Sequence, residues 1–182
     1  MLTRSQVRRA QQRAAERIRR AGIAIRADEA QAIEVADLGL NELEITGLQI
    51  LTVVSTANYA AKIIALEPNQ LCPQHRHPPL GDYAGKEETI RCQWGELILG
   101  MPGEPTPASR ARIPAHRAPY YTVRHELILH PGEQYTFPPN TWHWFQAGPE
   151  GAVVWSFSSQ AFDVQDDFTD PAIRRVTEIV ED

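Results

Sequence analysis

From Gly47 onward, short β-branched and apolar runs recur between Pro, Gly and Asn punctuation, covering residues 48–55, 59–66, 71–74, 89–94, 96–99, 120–129, 134–137, 142–147 and 152–158. Many short strands at such spacing predict an all-β sandwich or barrel. Residues 102–119 carry five prolines together with Gly, Ser and Arg, so this stretch cannot be a central strand. It is expected to be an exposed excursion between two strands, dividing the chain into two similar halves.

Ahead of the strands, residues 3–21 predict one helix. Thr3 or Ser5 can cap it, Val7, Ala10, Ala14 and Ile18 lie along one face, and Gly22 is placed to end it. Arg4, Arg8, Arg9, Arg13, Arg17, Arg19 and Arg20 crowd the remainder, which is expected to be a solvated face. Residues 1–22 are thus expected to pack as a helix on a single domain formed by residues 23–182, with a loop and a short helical turn near residues 37–44.

The 182 residues suit one domain, and a hydrophobic share of 42% can build a core without cross-links. With 18 Lys+Arg against 23 Asp+Glu, the formal net charge is −5. That balance lacks the positive field that nucleic acid or an acidic membrane requires, and leaves small neutral substrates open. Cys72 and Cys92 are too few for a disulfide scaffold, which points to a reducing cytoplasm. No apolar run approaches the roughly 18 residues needed to span a bilayer, and the Arg- and Gln-rich start gives no expectation of export.

The two halves share a local grammar. Ile63-Ile64-Ala65-Leu66-Glu67-Pro68-Asn69 precedes His75 and His77, as Leu127-Ile128-Leu129-His130-Pro131-Gly132 precedes His143. Two such units facing each other would form a double-stranded barrel with the histidines meeting inside. In an extended strand alternate side chains share a face, so His75 and His77 can present both imidazoles to one ion while Arg76 points away. Glu88 continues with Ile90, Cys92 and Trp94 on its face, whereas Glu87 goes with Thr89 and Arg91, so parity selects Glu88 as the acidic ligand. His143 follows the rigid 137–142 turn and can deliver a third imidazole from across the barrel. Three imidazoles and one carboxylate suit Mn²⁺, Fe²⁺, Co²⁺ or Zn²⁺ rather than Mg²⁺ or Ca²⁺.

This pattern resembles the cupin superfamily. Glu88 is followed after six intervening residues by Gly95, as in the first cupin motif, and Gly132 to Pro138, Asn140 and His143 look like the second. The gap between His77 and Glu88 is longer than usual and is expected to form a loop over the site mouth. Gly47-Leu48-Gln49, Ala61-Lys62, the 72–78 and 85–89 stretches, the 131–145 segment and Phe168-Thr169-Asp170-Pro171 further resemble the D-lyxose ketol-isomerase family. The resemblance implies a cupin-type double-stranded β-helix (jelly-roll) barrel, often a homodimer. It also implies a manganese-dependent aldose–ketose isomerase that interconverts D-lyxose with D-xylulose, and often D-mannose with D-fructose.

Moving a carbonyl between C1 and C2 needs proton removal, charge stabilisation on the adjacent oxygens, and reprotonation next door. Lys86 lies two residues before Glu88, and Lys62 sits on the preceding strand; both are expected to be proton carriers or sugar-oxygen partners, with Lys86 losing its proton readily. Members of the family commonly carry a glutamate where Ser156 stands, so another acid is needed. Asp166 is the nominated base, with Asp163 and Asp167 beside it and His125 and Glu126 on a neighbouring strand. Tyr83 and Trp144 are the nominated sugar-contacting aromatics. Two other classes fit the same ligand set: an iron or copper dioxygenase, and a non-catalytic sugar sensor.

Overall fold

The computed structural model describes residues 1–182. After the short strand β1 (Leu2–Thr3), Thr3 accepts a hydrogen bond from the Gln6 backbone and Gln6 reaches back to the Thr3 backbone, closing a capping box on helix α1 (Arg4–Arg20). Ala14, Ala15 and Ile18 bury the inner face of α1 against Ile33, Leu51, Ile63 and Val153. Ile18 is fully buried, worth about 1.5–3 kcal/mol of apolar transfer. The arginine face departs from expectation at two positions: Arg13 and Arg17 both bond the buried Glu67 carboxylate, at 2.8 and 2.6 Å. A helix whose buried face is mostly alanine is thus tied to the strands by a carboxylate that the two arginines share.

A short helix α2 (Ala27–Gln31) and strand β2 (Glu34–Ala36) lead to β3 (Leu48–Ser55), β4 (Tyr59–Leu66) and β5 (Leu71–Arg76). Next come β6 (Glu88–Met101), β7 (His125–Leu129), β8 (Gln134–Phe137) and β9 (His143–Ser159), followed by β10 (Asp167–Phe168) and β11 (Ile179–Val180). The antiparallel order β10-β5-β9-β4-β3-β2 continues through β6, which pairs with β7, β8 and β9, so the sheet curls into a barrel. Its interior holds a cluster of 19 buried residues that includes Ile90, Leu97, Leu99, Phe137, Phe145 and Val154. β11 pairs in parallel with β1 beside α1.

Four of the expected strands merge into two long ones. β6 and β9 stay paired from Glu88 opposite Ser158 to Gly100 opposite Trp144, with register shifts between Cys92 and Trp94 and between Gly95 and Leu97. Gly95 has φ +79°, and a Cβ there would sit 2.1 Å from the Gly151 carbonyl oxygen. The glycines therefore mark a bend that both strands take together, not an end to pairing. The expected strand over residues 120–129 also shortens: Pro119 sits within a 3₁₀ turn (Ala118–Tyr120), and pairing begins only at His125. The excursion before it covers the outer face of the sheet, where Tyr121 and Ile113 pack with Trp144 and Ile98.

Candidate metal centre and active site

Local sequence features aim each of the four candidate ligands. β5 contains Pro73, which cannot donate to a ladder, and the β5–β9 register shifts between Cys72 and His75. The Pro73 carbonyl that this bulge turns inward lies 2.9 Å from His75 Nδ1. His77 follows the end of β5, and its Nδ1 lies 2.6 Å from Asp166 Oδ1. Across the barrel Asn140 adopts φ +59° in the turn before β9, and the Thr141 carbonyl lies 2.8 Å from His143 Nδ1. Every Nδ1 thus has an acceptor, which fixes the tautomer and leaves each Nε2 for the interior. Glu88 opens β6 on the inner face, whereas Glu87 is exposed.

The structure brings His75, His77, Glu88 and His143 together with their ligand atoms all within 4.8 Å of one another, and all four are buried. Glu88 Oε2 lies 3.0 Å from His77 Nε2 and 3.8 Å from His143 Nε2. His143 Nε2 is buried without any hydrogen-bond partner. An orphaned acceptor of this kind costs free energy unless something positive meets it, so the donor set fits a divalent cation.

The electrostatics of His75, His143 and Glu88 agree with a ligating state. Burial, reinforced by His143 and His77, holds His75 well below the usual imidazole value, and burial lowers His143 as well. Burial also presses His77 downward, but hydrogen bonds to Asp166 and Glu88 carry it above its ordinary value. Burial would raise Glu88, yet Lys86 and the imidazoles bring it well below the carboxylate range. Neutral His75 and His143 beside an ionised Glu88 are the forms that bind metal.

Around the cluster lies a cavity that opens to solvent. Lys62, Lys86, Ser156, Asp163, Asp166 and Arg175 supply its polar wall. Asp163 pairs with Lys62 through Oδ2 and lies 3.3 Å from Lys86 Nζ through Oδ1. Lys86 Nζ is also 3.3 Å from Glu88 Oε1. Burial opposes the charge on Lys86, but Glu88, Asp163 and Asp166 raise its pKa overall, so the ready proton loss expected of it is opposed by three acids. Asp163 is lowered to about 2, the two lysines prevailing over burial.

Of the two nominated aromatics, Trp144 needs correction. Trp144 alternates with His143 and therefore points out of the barrel, where its Nε1 donates to the Val123 carbonyl at 2.9 Å. The inward neighbours are Phe145, which shares parity with His143, and Phe168, which packs 5.8 Å from the His75 ring. The Tyr83 hydroxyl is engaged by the Gln160 carbonyl at 2.6 Å and Ser159 Oγ at 2.8 Å, and its ring lines a smaller pocket beside His77, Lys86 and Asp166. His125 bonds the Glu104 carbonyl and Glu126 bonds Ser109 and Arg110, so neither reaches the site, and Asp167 pairs with Arg76. Arg175, 4.0 Å from Asp163 and 2.5 Å from Glu34, escaped the sequence reading because nothing in its local pattern marks it. Strict alternation from His143 would have found Phe145.

Fold and site together define a cupin-type barrel with a buried three-imidazole, one-carboxylate cluster able to hold a divalent metal. A family model described as D-lyxose isomerase matches residues 11–182, and the chain belongs to that family. It is 54% identical over 180 residues to the D-lyxose ketol-isomerase of Thermofilum sp. (strain ex4484_79), covering 99% of this chain and 100% of that one. It is 51% identical over 179 residues to the D-lyxose/D-mannose isomerase of Thermosediminibacter oceani, covering 98% and 99%. Among solved structures, Acinetobacter sp. DL28 L-ribose isomerase in complex with L-ribose superposes with a TM-score of 0.82 at 16% identity over 98% of each chain, which shows a shared fold. The chain is accordingly an aldose–ketose sugar isomerase, and the dioxygenase and sensor alternatives are set aside.

Proposed function

We propose that the chain interconverts D-lyxose with D-xylulose, and D-mannose with D-fructose, using Mn²⁺ held by His75, His77, Glu88 and His143. The observation that carries this reading is the convergence of four buried ligands with two buried lysines and two carboxylates on one cavity. Relatives named for D-lyxose and for D-lyxose/D-mannose support the substrate pair. A bound divalent cation would supply positive charge to the sugar oxygens at C1 and C2 as negative charge develops there.

The chain's own groups handle the protons. Lys86 Nζ and Lys62 Nζ hold protons against sugar oxygens, and Asp163 between them keeps both side chains extended toward the cavity. Asp166 engages His77 through Oδ1 alone, which leaves Oδ2 outside that bond to carry the proton between C1 and C2. Phe145 and Phe168 present apolar surface to the carbon face of the sugar and exclude water.

A homodimer and a cytoplasmic setting complete the proposal. Val53, Tyr59 and Phe157 leave apolar surface exposed on the barrel, as a self-complementary interface would require, and Cys72 and Cys92 are free thiols. No helix is long and apolar enough to cross a membrane. The test is to strip the protein with chelator, reload single metals, and follow D-lyxose, D-mannose and D-xylulose by polarimetry. Mn²⁺-restored rotation change is the expected result; no turnover of any pentose or hexose with any metal would refute the proposal.

A further inference from the structure

Ser156 interrupts the apolar stretch of β9, following Val153, Val154 and Trp155. It is opposite Lys62 on β4 and Ile90 on β6, while Glu88 pairs with Ser158, so Ser156 is the diagonal neighbour of Glu88 on the inner face. The serine is 2% exposed, where a hydroxyl without a partner is costly. Its Oγ donates to Glu88 Oε1. Lys86 reaches the same oxygen, while Oε2 alone faces His77 and His143. The two carboxylate oxygens are therefore given different tasks by their neighbours.

We propose that Ser156 is a positioning residue that commits Glu88 to bind the metal through Oε2 only. A carboxylate whose second oxygen is tied back cannot rotate to grip an ion with both oxygens, which leaves one more coordination position for a sugar oxygen. This inference rests on the proposed metal site but not on which sugar is turned over.

The experiment uses full-length protein stripped and reloaded with Mn²⁺, comparing wild type with Ser156→Ala and Ser156→Thr. Mn²⁺ affinity is read by chelator competition, coordination symmetry by the Mn²⁺ electron paramagnetic resonance spectrum, and substrate binding by KM for D-lyxose. Ser156→Ala is expected to shift the spectrum, to change Mn²⁺ affinity by about tenfold or more, and to raise KM, with Ser156→Thr returning all three toward wild type. Unchanged spectrum and affinity in a folded Ser156→Ala protein would overturn the proposal. Should the alanine variant not fold, Ser156→Cys keeps the shape with a weak donor, and wild-type metal readouts in it overturn the proposal equally. If wild type loads Mn²⁺ but turns over no sugar, the proposed activity fails while the spectral comparison still decides the role of Ser156.

Discussion

Asp166 joins two functions that substitution can separate. Its Oδ1 accepts from His77 Nδ1 at 2.6 Å with both side chains at most 10% exposed, a short bond in a dry setting. Asp166→Ala leaves the His77 N–H without an acceptor, and loss of such an outer partner weakens metal binding by about 10- to 100-fold, or roughly 1.4–2.8 kcal/mol. Asp166→Asn keeps an amide oxygen for His77 but has no basic carboxylate. Its Mn²⁺ affinity should stay within about threefold of wild type, while kcat falls by about 10²- to 10⁴-fold, the range for loss of a positioned proton carrier. Chelator competition on the stripped proteins gives the affinities, and polarimetry with saturating D-lyxose gives kcat. Near-wild-type kcat in Asp166→Asn would refute the proton-carrier role; unchanged affinity in Asp166→Ala would refute the orienting role.

Four further outcomes follow from the geometry. Mn²⁺ at 100 times its Kd should stabilise the fold by about 2.7 kcal/mol, seen as a rise of several degrees in Tm that excess chelator reverses. Ile18→Ala, at a fully buried contact between α1 and the barrel, should lower unfolding free energy by about 2–5 kcal/mol in urea melts while kcat at 25 °C holds. Gly95→Ala should destabilise by at least about 1–3 kcal/mol, because its Cβ meets the Gly151 carbonyl at a positive φ; a neutral result would refute the bend. Asp163, lowered from 3.8 to about 2, contributes stability that is full above pH 4 and lost as pH falls toward 2, about 2 kcal/mol in all. Asp163→Asn should remove that acid-limb dependence from denaturation curves.

Legibility tracked periodicity. His75, His77, Glu88 and His143 could be read because a two-residue repeat decides which side chains enter a barrel, and because turn residues mark where each strand begins. The same rule applied through β9 places Phe145 inside and Trp144 outside, and the Trp144 assignment failed because parity was not carried past His143. Gly95 and the 148–151 turn read as strand ends because punctuation in sequence does not say whether a partner bends in step. Arg13 and Arg17 looked solvated because their acceptor, Glu67, lies some fifty residues away on the chain.

Residues at the mouth follow a different logic. Asp163, Asp166, Phe168 and Arg175 all come from the segment after β9, whose ladder pairing is confined to the two-residue strands β10 against β5 and β11 against β1. Phe168 is placed by its pairing opposite His75, and the other three by side-chain bonds to the barrel: Asp163 to Lys62 and Lys86, Asp166 to His77, Arg175 to Glu34. No period in the sequence encodes such contacts. The barrel therefore fixes the ligand cluster through backbone register, whereas Asp163, Asp166 and Arg175 are aimed at the cavity from a segment outside the barrel strands by side-chain bonds. Substitution at Arg175 should therefore alter the cavity wall while the four ligands keep their places, since its bonds run to Glu34 and Asp163, whereas substitution at Asp166 also reaches the ligand His77.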